Sequence, residues 1–322
     1  MKYITAQIDL GEKETFQKYN GKFLEESDAQ DLITVTEDTA IMKPGATLDG
    51  SGVPLAYVIC NAFPNDNVRN VLATIEDTST MRANCSGPID KEAMAAKGLI
   101  ENEHYKLRTP NSYYVRTKSG GWGMIAYAAE IHSVMIGYKR GRFTGAIDAS
   151  GWTKSNPEKF EILKEIAVYN EKAFKKANSV IYNKQKKFAE NSIRPEHRIG
   201  IFTTLSANRY HVGQSSKMSA HVDSSDTQFG MTTMAVFREG PAYQGAYLLF
   251  PRYGIGIDAP DNSVVIAQSL EIHGVSPIRG NGVRLSCVAY CDNRLAELGA
   301  AGKPERKIGK YAEQGNLENL FE

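Results

Sequence analysis

The chain has 322 residues, 42% hydrophobic and 23% charged, with a formal net charge of +1. That composition supports a sizeable core and excludes wholesale disorder, and the near-neutral balance does not by itself mark a nucleic-acid binder. No apolar run approaches the roughly 18 residues of a membrane helix. MKYITAQIDLGEKE lacks the apolar stretch and small-residue cleavage site of a signal peptide, so an intracellular protein without membrane association is expected. Cys60, Cys85, Cys287 and Cys291 are few and irregularly spaced. Cys287 and Cys291 have no second Cys or His pair nearby and read as free thiols rather than zinc ligands.

In chain order, residues 1–50 read as a lightly structured lead-in, although DLITVTEDTAIM from Asp31 alternates like a strand. MKPGATLDGSG is a loop, and PLAYVICNAF from Pro54 reads as a buried strand. PNDNVRNVLATIED opens with turn chemistry and then places Val68, Val71, Leu72 and Ile75 at helical spacing. From Thr78 to Ser150 strands and loops mix; MIAYAAEIHSVMIGY, from Met124, fits either a helix or a strand pair. Ser155-Asn156-Pro157 is a helix start, a capping residue followed by proline at the first helical position. Phe160, Leu163, Ile166, Ala167, Asn170 and Phe174 continue it as one helix or a pair to about Ala189. Lys172, Lys175, Lys176, Lys184, Lys186, Lys187, Arg194 and Arg198 make this region basic. It reads as a solvated face or as a stripe that follows phosphates.

From Ile199 the pattern changes to short β-branched and aromatic runs separated by Gly, Pro, Asp and Asn: IGIFTTLSANRY, MTTMAVF, GAYLLF, SVVIAQ and RLSCVAY. The expected fold is α+β: a double-stranded β-helix (jelly-roll) core over about 199–292, with supporting helices over about 155–190. Both belong to a single domain at 51–298, with the lead-in at 1–50 and a peripheral charged tail at 299–322. No obligate protein partner is evident.

Inside the β-rich half stands Ala220-His221-Val222-Asp223. Residues two apart in a strand share a face, so one imidazole and one carboxylate converge. His273 follows about fifty positions on, in SLEIHGVSP. Two histidines and one carboxylate form the facial triad that leaves open positions on Fe(II). A surface His-x-Asp with an unrelated core histidine, or a zinc hydrolase with the same ligands, are the alternatives. Arg284 comes eleven positions beyond His273, at the start of a strand. Its planar fork suits a keto-acid carboxylate better than a lysine would.

The flanking residues extend this. IFTTLSANRY, AHVDSSDTQFG and GAYLLFPRYGIGIDAPDNSVVIAQSLEIHGVSPIRGNGVRLSCVAY resemble the core of the TET/JBP family. Those are Fe(II)/2-oxoglutarate dioxygenases that oxidise the 5-methyl group of a pyrimidine in DNA. Asn208, His221, Asp223, Asp226, Gly245, Pro251, Gly254, His273, Gly274 and Arg284 carry the resemblance, which covers about 199–292; MRANCSG at Met81 and the RFTGAI…NPEKF region extend it faintly upstream. It implies iron on His221, Asp223 and His273, and the co-substrate's distal carboxylate on Arg284, with Arg82 as a further contact. It implies Asn208 and Asp226 at the substrate, Asp226 orienting either the base or a ligand. An algal branch with the same skeleton uses ascorbate to transfer a glyceryl unit onto 5-methylcytosine, and Arg279 competes with Arg284 as the anchor.

The implied activity is thus 2-oxoglutarate- and O2-dependent oxidation of 5-methylcytosine or thymine in DNA. Ascorbate-dependent glyceryl transfer is the alternative, and a dioxygenase acting on RNA, protein or a small molecule, or a DNA-binding module with a degenerate site, are further ones. A DNA substrate would place the protein in the nucleus if the source is eukaryotic. A flipped base needs stacking groups, for which Tyr210, His211, Phe229, Tyr243 and Tyr247 are candidates. Arg209 and Lys217 are candidates for phosphates near the mouth.

Overall fold

Alternation within each strand divides the molecule into layers, because successive side chains leave a strand on opposite faces. The computed structural model describes residues 1–46, 52–75, 105–109, 112–116, 122–125, 132–140, 146–211 and 218–301. The main sheet has nine strands. In spatial order they are β1 (Lys2–Thr5), β3 (Thr39–Met42), β4 (Pro54–Cys60), β16 (Ser263–Ala267), β12 (Thr232–Glu239), β19 (Val283–Tyr290), β10 (Thr204–His211), β8 (His132–Arg140) and β9 (Ile147–Ala149). Facing it is a five-stranded sheet in the order β11 (Met218–His221), β17 (His273–Val275), β14 (Leu248–Phe250), β15 (Ile255–Asp258) and β2 (Asp31–Thr34). A two-stranded ribbon of β13 (Tyr243–Gly245) and β18 (Ile278–Gly280) lies between them in sequence. Two packed sheets whose consecutive strands alternate between them make the expected double-stranded β-helix. A separate three-stranded sheet holds β5 (Tyr105–Thr109), β6 (Ser112–Arg116) and β7 (Trp122–Ile125). The stretch from Met124 is therefore strand on both sides of a segment outside the described residues.

One face of the main sheet is covered by helices. After α1 (Glu12–Tyr19) and α2 (Asn67–Ala73) come α3 (Gly151–Ser155), α4 (Pro157–Leu163), α5 (Glu165–Ala177) and α6 (Ser179–Ser192), and α7 (Asn293–Ala301) follows the last strand. Ile166, Ala167, Ala173 and Phe174 of α5 pack on Leu205, Ala207, Ala235, Phe237, Leu285, Cys287 and Ala289 of the sheet. Each large apolar side chain so buried contributes roughly 1.5–3 kcal/mol. The one helix or pair expected from Pro157 is a series of three. Proline does open α4, but Asn156 turns its amide back to the Trp152 carbonyl and caps nothing with its side chain. The chain breaks again at Asn178, whose extended backbone and side-chain oxygen, accepting from the Ile181 amide at 3.0 Å, start α6.

The inner faces meet in a second core of Ile41, Val58, Val236, Leu248, Phe250, Ile255, Ile257 and Val265. The stretch 1–50 is not the lead-in its composition suggests. β1 pairs in parallel with β3, β3 with β4, and β2 in parallel with β15, so this segment supplies strands to both sheets. Between them, α1 and the following turn cross the outer face of the five-stranded sheet. Tyr19 and Leu24 pack there on Ala220, Tyr247, Leu249 and Ile272. Each of these strands has only four residues, and β2 pairs with a partner more than two hundred positions away, which local pattern does not display. At the other end, α7 continues through Ala301, and the rest of the tail lies outside the described residues. Among the described residues, no helix is long and apolar enough to cross a membrane.

Candidate metal centre

His221 ends β11 and His273 begins β17, and the two are directly paired across the antiparallel ladder. Their rings lie 4.5 Å apart between centroids. Asp223, two positions past the strand end, reaches between them: its Oδ1 is 3.4 Å from His221 Nε2 and its Oδ2 is 3.6 Å from His273 Nε2. One ligand atom from each residue fits within 4.8 Å of the others, and this is the one such group of His, Cys, Asp or Glu among the described residues. A metal bound about 2.1 Å from three neighbouring ligands places them about 3 Å apart, so the group closes on an ion with small side-chain movements.

The electrostatics fit as well. Burial pushes the Asp223 carboxyl up, but the hydrogen bond and charge of His221, with His273 beside it, outweigh this and keep Asp223 below the ordinary carboxylate range. Burial, and then the neighbouring His221, hold His273 down and neutral. Its Nδ1 lies 2.9 Å from the Glu271 carbonyl oxygen. A carbonyl can only accept, so the ring proton sits on Nδ1 and the Nε2 lone pair faces Asp223.

A cavity of about 220 Å³ opens beside the triad, between the two sheets. Ser206, Asn208 and Tyr210 of β10, Thr232 and Met234 of β12, and Val288 and Tyr290 of β19 line it. Asn208 is buried there, its amide nitrogen 3.3 Å from the Ser206 carbonyl and its Oδ1 without a partner. Asp226 also lines the cavity. It accepts hydrogen bonds from Thr232 Oγ1 and, at 2.7 Å, from Ser269 Oγ. Burial and the adjacent Asp223 push it well above the carboxylate range despite those two bonds, which favours the protonated acid.

Arg284 and Arg279 separate cleanly. Arg284 shares the inward register of Ser286 and Val288 and is 3% exposed. Its guanidinium lies 5.3 Å over the Tyr210 ring and contacts Met234 Sδ, and its Nη1 has no hydrogen-bond partner. No carboxylate pairs with it among the described residues. Arg279 is exposed on β18 and paired with Glu26. Arg82 and Lys217 lie outside the described residues.

The other candidates are mostly turned elsewhere. Arg209 sits on the helix side of its strand, with Nη1 3.5 Å from the Ala73 carbonyl. The basic run at 172–198 belongs to α5, α6 and the turn after them, on the face of the main sheet opposite the cavity, so it does not flank the mouth. Lys176 pairs there with Asp38 and Lys186 with Glu190. Of the aromatic residues, Tyr210 lines the cavity. Phe229 is stacked at 4.9 Å on Phe188, Tyr243 lies under Arg238, and Tyr247 packs on the outer face with Tyr19. His211 ends β10, half-buried. Cys287 and Cys291 are buried free thiols, raised by burial. Sequence reasoning missed Ser269 and Thr232, which hold Asp226, and Glu271, which holds His273. Glu271 carried one signal, a charge two positions before a ligand in an otherwise apolar run.

Fold and site together define a double-stranded β-helix protein with a two-histidine, one-carboxylate centre at its mouth. No family model matches the chain, and no curated protein matches it. Among solved structures it is similar to NgTET1 in complex with 5mC DNA, at TM-score 0.49 and 11% identity, covering 83% of each chain. It is also similar to the collagen prolyl hydroxylase of Paramecium Bursaria Chlorella virus-1 in its 2OG complex, at TM-score 0.33 and 13% identity over 73% of this chain and 94% of that one. A third is a 2OG-Fe(II) oxygenase family oxidoreductase from Burkholderia pseudomallei, at TM-score 0.33 and 13% identity over 70% and 90%.

Proposed function

We propose that the protein is an Fe(II)- and 2-oxoglutarate-dependent dioxygenase that oxidises the 5-methyl group of a pyrimidine base in DNA. The observation that carries the reading is the His221–Asp223–His273 group in the same barrel as a buried, unpaired Arg284 guanidinium. His221, Asp223 and His273 would hold the iron, which with 2-oxoglutarate and O2 supplies an oxidant for a C–H bond that side-chain acids and bases cannot break.

The chain's own residues do the positioning. Arg284, desolvated above Tyr210, offers a forked donor to the distal carboxylate of the keto acid. Ascorbate carries no carboxylate, so this donor favours 2-oxoglutarate over the glyceryl-transfer alternative. Asn208 Oδ1 is free to accept from an exocyclic amine, and Asp226, which favours the protonated acid, lines the same cavity as a second polar group for a flipped base. The surrounding Met234, Leu248, Phe250 and Val275 keep water from the reacting methyl.

One observation favours a second reading, a dioxygenase acting on a substrate other than DNA: the lysine run lies on the far face and cannot track phosphates at the mouth. One experiment separates them. Methylated DNA is incubated with the iron-loaded protein, O2 and either 2-oxoglutarate or ascorbate, then digested and analysed by mass spectrometry. A nucleoside one oxygen heavier, formed only with 2-oxoglutarate, is expected. A heavier adduct formed with ascorbate alone would establish glyceryl transfer. 2-Oxoglutarate turnover without any altered nucleoside would remove DNA as substrate.

A further inference from the structure

The Glu271 side chain is gripped from three directions. It is 8% exposed. Lys43 Nζ, just past β3, is 2.6 Å from its Oε1, and the Tyr253 hydroxyl donates to the same oxygen at 3.0 Å. Arg252 Nη1 is 3.2 Å from its Oε2. Arg252 is itself held in a fork by Asp9, at 2.7 and 2.9 Å. The Glu271 carbonyl, meanwhile, receives the Nδ1 proton of His273. A side chain held at both carboxylate oxygens leaves the 271–272 peptide unit little freedom to swivel, so the carbonyl stays aimed at the ring.

We infer that Glu271 is a positioning residue for the metal centre: its clamped side chain fixes the carbonyl that sets the orientation and the protonated nitrogen of His273. Without the clamp, Lys43, Arg252 and Tyr253 lose a shared partner, and the peptide turns to satisfy them. A His273 ring released from its acceptor populates the tautomer with the proton on Nε2, which has no lone pair for a metal. The metal half of this inference rests on the iron reading above; the tautomer half does not.

The test uses the full chain, with cobalt(II) as the probe. Binding is followed by visible d–d absorption, and the His273 tautomer is read from imidazole 15N shifts in the metal-free protein. Wild type should carry the proton on Nδ1. Glu271→Ala should shift the population toward Nε2 and weaken cobalt binding by about tenfold to a hundredfold. Glu271→Gln, which keeps an oxygen facing Lys43 and Tyr253, should restore most of the affinity and the Nδ1 tautomer. If Glu271→Ala does not fold, Lys43→Met takes its place, with a weakening of about threefold to tenfold for one lost bond. Unchanged cobalt affinity together with an unchanged tautomer overturns the inference. Cobalt binding that is equal in wild type and His221→Ala would instead overturn the iron reading, and the His273 tautomer would still decide the role of Glu271.

Discussion

At the scale of single residues, the site is a set of charges and lone pairs with no spare members. His221→Ala removes one of three ligands from a half-buried position, so cobalt binding should be lost while the melting temperature of the metal-free protein stays near that of wild type. Arg284 presents the opposite case. Its guanidinium is buried without a counter-charge, which costs stability and makes sense as a receptor for a carboxylate. Arg284→Met should raise the KM for 2-oxoglutarate about tenfold to a hundredfold, from the loss of a charge-assisted bond of about 1.5–3 kcal/mol. The same variant should melt at or above the wild-type temperature, since an apolar side chain suits that position when nothing is bound. A variant that loses both co-substrate affinity and stability would mean that Arg284 is structural.

At the scale of elements, the ribbons and turns decide where those residues point. Gly245 has φ +86°, and a Cβ there would lie 1.9 Å from the Pro277 carbonyl oxygen. It turns the chain from β13 into β14, which carries Leu248 and Phe250 into the cavity wall. Gly245→Ala should cost roughly 1–3 kcal/mol in urea unfolding. The N-terminal segment is fastened by ion pairs as well as strands. Burial alone would raise the Asp9 carboxyl, but hydrogen bonds from Arg252 and the Gly11 amide outweigh it and hold it below its ordinary 3.8. Asp38 is lowered in the same way by Lys176 and the Cys60 amide. Groups with depressed folded values stabilise the fold above their unfolded value and lose that contribution as pH falls through the folded one. Acid unfolding should therefore steepen below about pH 4, and Asp9→Asn should flatten that limb while leaving stability near neutral pH lower by a constant amount.

The same scale explains what was legible beforehand. His221 and Asp223 could be read because their two-residue spacing is a local signal, although Asp223 lies past the end of the strand rather than in it, and His273 because its flanks repeat the pattern of a known family. The helix start at Pro157 was visible because proline excludes most other positions, whereas the break at Asn178 was not, since an asparagine inside a polar stripe looks tolerable. The alternation from Asp31 covered β2 and β3, whereas β1, four residues paired in parallel with β3, showed no such pattern. Glu271 was hidden for a different reason: it acts through its carbonyl, which every residue possesses. Arg279 and Arg284 were indistinguishable by distance from His273, and only the register of β19 shows which one faces inward.

At the scale of the whole molecule, the first forty residues behave as a belt around the sheet that carries His221 and His273. The Gly21 amide donates to the Ala220 carbonyl and the Ala220 amide to the Lys22 carbonyl, both at 2.7 Å, immediately before His221. Asp9 and Arg252 close a separation of 243 positions, and Glu26 and Arg279 one of 253. β1 and β3 pair with near neighbours, whereas β2, Asp9 and Glu26 find their partners only in residues 252–279. A nascent chain that lacks residue 273 has only two of the three ligands. A metal held by all three would therefore bind only once β17 has paired with β11, a closure over about fifty positions that no local pattern completes.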